Sequence, residues 1–349
     1  MDASLRRALL ASRPVRFASR LGVAVLFGGG LTLGGGLFMV PAAGAVPTCA
    51  PAGTTGLTAR VIARSGDVVS GTVDATGCDI GVYAGPGTWS VTVRNATVSN
   101  ANDHGILFQD VSNSIIENST ISNNGLARHE AIAEDKGVQL VGTSNVMVRN
   151  NTVSGNLADG GIAINDDGPI NPGAPNPGYL HAAIKNTIQG NLVTGNSGGC
   201  GIVLSAYNSG AGVNSNLVVG NRVMNNQSVP VVVAADTPNT TASGNSILSN
   251  VITTNDGPGV VIHSNAPGDV VTRTTVYGNT ISGNASLGPL TDFEDTGIAI
   301  RGEVEPVTRT FIVMNTITNE HFGIFSHNAR YSLNLEGRMN QATIPFHVE

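Results

Sequence analysis

Apolar and polar residues alternate along most of this chain in bursts too short for helices. Three phrases carry the pattern. The first is asparagine-led: NTVSGN at 151–156, NLVTGN at 191–196, NRVMNN at 221–226, NVITTN at 250–255, NTISGN at 279–284 and NTITNE at 315–320, with weaker copies at Ser119 and Ala96. Their starts lie 23, 32, 40, 30, 29, 29 and 36 residues apart. A period in that range signals a solenoid.

The second phrase is glycine followed by aliphatic, any, apolar: Gly105-Ile106, Gly137-Val138, Gly161-Ile162, Gly201-Ile202, Gly259-Val260, Gly297-Ile298 and Gly323-Ile324, with Pro230-Val231 in one copy. The third precedes the asparagine phrase, as in Val91-x-Val93, Ile115-Ile116 and Val146-x-Val148. Each repeat thus holds three short strands of period 2 with turn residues between them. None is long enough to need a hairpin partner. Stacked turn on turn in parallel, about 4.8 Å apart, their inward aliphatics form one continuous column. The asparagines belong at the bends, where amides bond backbone and one another and left-handed backbone is tolerated. Right-handedness follows from the crossover rule for parallel strands.

These phrases resemble those of the right-handed parallel β-helix superfamily, the pectate-lyase-like solenoids, over about Val91 to Ala329. The expectation is an all-β, single-stranded right-handed parallel β-helix of about 8–10 coils. Residues 91–330 would form it, 46–90 an N-terminal cap and first coil, and 331–349 a C-terminal cap or tail. The resemblance specifies the fold and leaves the activity open, since enzymes, phage proteins and adhesins share it.

Composition agrees, then narrows the function. Of 349 residues 45 are glycine, 41 % are apolar and only 12 % charged, poor material for helices or for a disordered chain. The first 45 residues stand apart. Five arginines up to Arg20, an apolar glycine-rich run and Ala43-Gly44-Ala45 read as an export signal, Sec or Tat, cleaved to leave a secreted protein with no membrane anchor. Beyond it 13 basic and 23 acidic residues remain. That excess excludes nucleic acid and disfavours an anionic polymer unless a divalent cation bridges the two. Cys49 and Cys78 are placed to close the N-terminal segment with a disulfide, and Cys200 reads as a buried thiol.

The variable loops at 123–136, 165–183, 205–213, 284–296 and 301–310 all border the Gly-aliphatic strand. They would wall one face of the solenoid, and in pectate-lyase-like proteins that face often carries the substrate groove. Asp103, Asp135, Asp159 and Asp295 each stand two residues before the glycine. Stacked about 5 Å apart, the first three need a cation, a base or a raised pKa. Ca2+ with oxygen ligands fits. Aspartates at such bends also serve as caps of their own turns, so a metal site and a purely structural ladder are both open readings.

The resemblance adds a base, because some pectate-lyase-like enzymes use a lysine. That makes Lys136 the candidate, with Asp135 beside it and His104 as a further acid or base. Asp166 and Asp167 could join the cluster. A second stack, His263, Arg301 and His327, sits three residues after the aliphatic and faces outward, suited to contacting a sugar. Between the inward positions runs an outward stripe from Leu107 through Val203 and Val261 to Phe325, apolar except at Gln139. It implies that a loop or partner covers it. The sequence therefore predicts a monomer that binds, and in one reading cleaves, an extracellular polysaccharide. The alternative is a scaffold docking a protein or cell-wall partner, favoured by the stripe and by missing hydrolase and epimerase motifs.

Overall fold

A computed structural model describes residues 48–127, 136–166, 181–284, 295–330, 340–341 and 344–348. All lie in the unit 46–349, the part left once the expected leader is set aside. Among the described residues every regular element is a strand.

The Gly-aliphatic phrases become a twelve-stranded sheet. It opens with Ala50–Pro51, which pairs antiparallel with Thr58–Ala63. It then runs through Ile80–Ala84, His104–Gln109, Val138–Val141, Ile162–Asn165, Ile202–Ala206, Val231–Ala235, Val260–Ser264, Thr296–Gly302 and Phe322–His327 to Ile344–Val348. From Thr58–Ala63 onward each strand pairs parallel with its successor. The stack therefore reaches further than the repeat phrases did. Thr58–Ala63 and Ile80–Ala84 add coils within 46–90, and Ile344–Val348 adds one within 331–349.

The other two phrases build a seventeen-stranded sheet, and strands of two or three residues, such as Ala183–Ile184 and Thr241–Ser243, build a third of six. A two-residue strand is too short to show a period, so the sequence offered three strands per coil where complete coils have four. Inward residues form a single core. Ile106, Ile162, Ile202, Val148, Val193 and Ile252 each have no exposed surface.

The asparagines divide their expected duties between neighbours. Those ending and beginning the phrases are buried, from Asn151 through Asn191, Asn221 and Asn250 to Asn279 on one bend and from Asn124 to Asn284 on another. Asn221 shows the rule. Its Oδ1 accepts from the backbone N–H and Nδ2 of Asn191, while its Nδ2 donates to Asn250 Oδ1 and Ile188 O. An amide with two donors and two lone pairs is thereby satisfied. The left-handed backbone falls on the preceding residue instead: Asn150 (φ 54°), Gly190 (63°), Gly220 (64°) and Ser249 (53°).

The phrase glycines have a different reason. No left-handed φ is found at Gly81, Gly105, Gly161 or Gly201. A Cβ on Gly161 would stand 2.4 Å from Gly201 O and 2.6 Å from Val193 Cγ1. The position faces inward where neighbouring coils close tightly, so it is short of space rather than of conformational freedom. Cys49 and Cys78 are disulfide-bonded, with Cα atoms 5.5 Å apart.

Candidate functional site

Period 2 sends three columns outward from the long sheet. The first is the expected stripe. Leu107, Gln139, Ala163, Val203, Val232, Val261, Ala299 and Phe325 are in register on successive strands. None is more than 7 % exposed, so the stripe is closed to solvent.

The N-terminal half of this face is polar but occupied with itself. Tyr83 Oη donates to Gln109 Oε1 at 3.1 Å, and Gln139 Nε2 to Asn165 Oδ1 at 2.7 Å. Asp166 accepts the backbone N–H groups of Tyr207, Asn208 and Gly212 at 2.7, 3.1 and 3.0 Å. It clasps the loop of the next coil. Burial pushes its carboxyl up to about 6 while those amides pull the other way.

The aspartate ladder begins one coil earlier than the sequence suggested. Ile80 pairs with His104, which aligns Asp79 with Asp103. Asp79 Oδ2 accepts both the N–H and the hydroxyl of Thr58, on the preceding coil, at 2.8 Å. Asp103 is buried. Asp159 meets Lys136: Nζ lies 2.7 Å from its Oδ2 and also donates to its carbonyl. The ammonium is itself buried, at 5 % exposure. His104 Nδ1 accepts the Lys136 N–H at 3.3 Å. Burial first, and then the Lys136 charge, hold this imidazole down at about 3, so it stays neutral at ordinary pH.

Lys136 thus supplies a cation at the ladder. Asp135 and Asp167 lie outside the described residues. Among the described residues no group of three or more His, Cys, Asp or Glu is placed to hold a metal ion, and Asp159 spends its carboxylate on Lys136. Cys200 is a free thiol packed against the stripe, and burial pushes it up to about 11.

In the C-terminal half the stripe is closed as well, but the columns beside it are partly exposed. His263, Arg301 and His327 pair in register on three consecutive strands, each partly exposed. The third outward column continues beside them. Ala235, Ser264 and Gly302 are register partners, so the residues that follow, Asp236, Asn265 and Glu303, also line up. Asn265 Nδ2 donates to Asp236 Oδ1 at 2.6 Å, and its Oδ1 lies 2.8 Å from His263 Nδ1. His263 Nε2 is 3.9 Å from Asp236 Oδ1. Arg301 pairs with Glu303 at 2.7 Å. One coil on, the rings of Phe325 and His347 stack at 5.6 Å and 19°. Asp236, Asn265 and Glu303 were missed in the sequence, although each is the fifth residue after the phrase's aliphatic. Extending the alternation by two would have found them.

The family model described as the right handed beta helix region matches residues 64–247, and the chain belongs to that family. No curated sequence matches it. Among solved structures it is similar to a surface adhesin of Streptococcus pneumoniae, at 16 % identity and a TM-score of 0.55 over 79 % of this chain and 70 % of that one. It is also similar to a mannuronan C-5 epimerase A-module from Azotobacter vinelandii, at 14 % identity and 0.51 over 83 % and 76 %. A hyperthermoactive exopolygalacturonase from Thermotoga maritima matches at 15 % identity and 0.51 over 74 % and 54 %. Likeness at such identity concerns the fold.

Proposed function

We propose that this is an exported protein that binds a neutral polysaccharide across the C-terminal half of the long sheet's outer face. One observation carries the reading. Asp236, His263, Asn265, Arg301, Glu303 and His327 stand in register and accessible on consecutive coils, while the N-terminal half is closed and bonded to itself. Coils repeat every 4.8 Å or so, which presents a row of donors and acceptors suited to a chain of sugar units. Charge points to a neutral chain, because Asp236 and Glu303 outnumber the single guanidinium of Arg301 and would repel a polyuronate.

The buried stripe and the Asp79 carboxylate, taken up by Thr58 of the preceding coil, favour a second reading, a surface scaffold that docks a protein. Titration of the purified full chain with neutral and acidic polysaccharides separates them. Binding should be to neutral glycans, and His263→Ala and Arg301→Ala should each weaken it about tenfold, the equivalent of one hydrogen bond to a charged group. Absence of binding to every glycan would leave the scaffold.

A further inference from the structure

We infer that the C-terminal half of the seventeen-stranded sheet docks the protein on an anionic lipid surface, through a ridge of arginines beside an exposed apolar plate. This surface is separate from the proposed glycan row and does not depend on it.

Charge segregation is the first argument. Beyond the leader, acidic residues outnumber basic ones by 23 to 13. Yet the segments 183–196, 213–226, 241–255, 270–284 and 307–319, which carry the third and the seventeen-stranded sheets through five consecutive coils, contain no aspartate or glutamate. Lys185, Arg222, Arg273 and Arg309 lie in them and Arg330 borders them, all exposed. Among the described residues none of these five is in an ion pair. Thr272 pairs with Thr308, and Thr308 with Arg330. Arg273, Arg309 and Arg330 therefore ridge one bend, about 4.8 Å from coil to coil. Arg273 and Arg309 have left-handed backbone, φ 56° and 53°, in the column where an earlier coil has Gly244. A side chain is disfavoured in that conformation, so the bend itself does not call for arginine.

The plate is the second argument. One outward column of the sheet begins with Glu117 and Arg149, ion-paired at 2.7 Å. After Gln189 it turns apolar, as Val219, Leu248, Tyr277 and Val313. Phe311 and Met314 flank its end. Tyr277, Phe311 and Met314 are 41 %, 42 % and 56 % exposed. The first coils show that the column accepts charge, so packing does not impose the apolar run. Phe311 stands two residues from Arg309, which sets plate and ridge side by side.

Shape selects the partner. Two-residue bends such as Lys185-Asn186 and Gly190-Asn191 join the strands here, so these coils raise no walls around the plate. Small ligands and peptides are held in clefts and grooves. A soluble polyanion would leave the plate in water. A flat apolar plate rimmed by cations matches a bilayer interface, where aromatic rings sit among the headgroups and arginines meet lipid phosphates.

The test uses residues 46–349, the compact unit that contains every described residue, because the apolar leader would itself enter lipid. Co-sedimentation is measured with vesicles of phosphatidylcholine alone and of phosphatidylcholine mixed with phosphatidylglycerol. Binding should be to the mixed vesicles only and should weaken as salt rises. Arg273→Gln, Arg309→Gln and Arg330→Gln should each weaken it about fivefold, the worth of one cation close to such a surface. Phe311→Ser should weaken it at least about tenfold through lost burial. Thermal unfolding should be unchanged in all four variants, and glycan binding unchanged in Arg309→Gln. Equal binding to both vesicles, binding to neither, or full binding by the triple arginine variant overturns the inference. So does a dimer that Phe311→Ser dissolves while vesicles stay unbound, which gives the plate to a second copy. Capture of soluble polygalacturonate in place of vesicles overturns the lipid assignment too.

Discussion

The ladder asparagine is the residue on which this molecule depends most. Each sits in the interior, where an unmet amide is expensive, and meets its needs only because the next coil offers the same residue. Asn221→Ala would strand the Asn191 backbone N–H and take one partner each from Asn191 Nδ2, Asn250 Oδ1 and Ile188 O. The expected loss is about 2–4 kcal/mol, from roughly 1–3 kcal/mol for each buried group left unmet. Urea unfolding measures it, and a loss under about 0.5 kcal/mol would contradict the account.

The second ladder ends differently. Asn284 donates through its N–H and Nδ2 to Glu320 Oε1. Burial raises this carboxyl to about 7, and Asp295 adds to the rise. Because the folded value lies above the unfolded one, the native state holds the proton more tightly. Its contribution is complete below about 4.5, the ordinary glutamate value, and is lost as pH climbs through about 7. Glu320→Gln keeps the acceptor and removes the titration. The variant should melt higher than wild type at pH 8 and alike at pH 4. Equal melting at both would show that Glu320 is ionised without cost.

At the scale of elements, the glycine of the long strand is a spacing device. Gly161→Ala has no rotamer to relieve it, since the Cβ meets the Gly201 carbonyl and Val193. Coils 161 and 201 would separate, costing about 1–3 kcal/mol, as overpacking does elsewhere. A neutral effect in denaturant titration would mean that the sheet yields locally. The sequence announced these strands well. Their alternation placed the inward columns and the stripe, and it aligned His263 with Arg301 and His327. It did not reveal the two- and three-residue strands of the third sheet, nor the division of labour between Asn150 and Asn151. A positive φ and a buried amide both select asparagine, so composition alone merges them.

For the whole molecule, the N-terminal end is where stacking has least to lean on. Ala50–Pro51 contributes only two residues to the sheet, and the disulfide between Cys49 and Cys78 closes a span of 29 residues there. Such a loop is worth about 3–4 kcal/mol in chain entropy. Reduction should therefore increase proteolysis before Thr58 and leave the later coils resistant. Uniform digestion would show that the solenoid unfolds as one unit.

The sequence by itself determined that this chain winds into a parallel β-helix, because repeat period, strand alternation and bend chemistry are local properties that recur coil after coil. It also determined which strand faces outward between the variable loops. Only the tertiary structure decided which part of that face is available. Lys136, His104 and Asp159 looked like chemistry in a row, yet Lys136 and His104 are buried and the Lys136 ammonium is spent on Asp159. Asp236 and Glu303 are 67 residues apart in the chain and carry no motif. Stacking set them two coils apart in one column, and register, which no short phrase encodes, is the reason they share it.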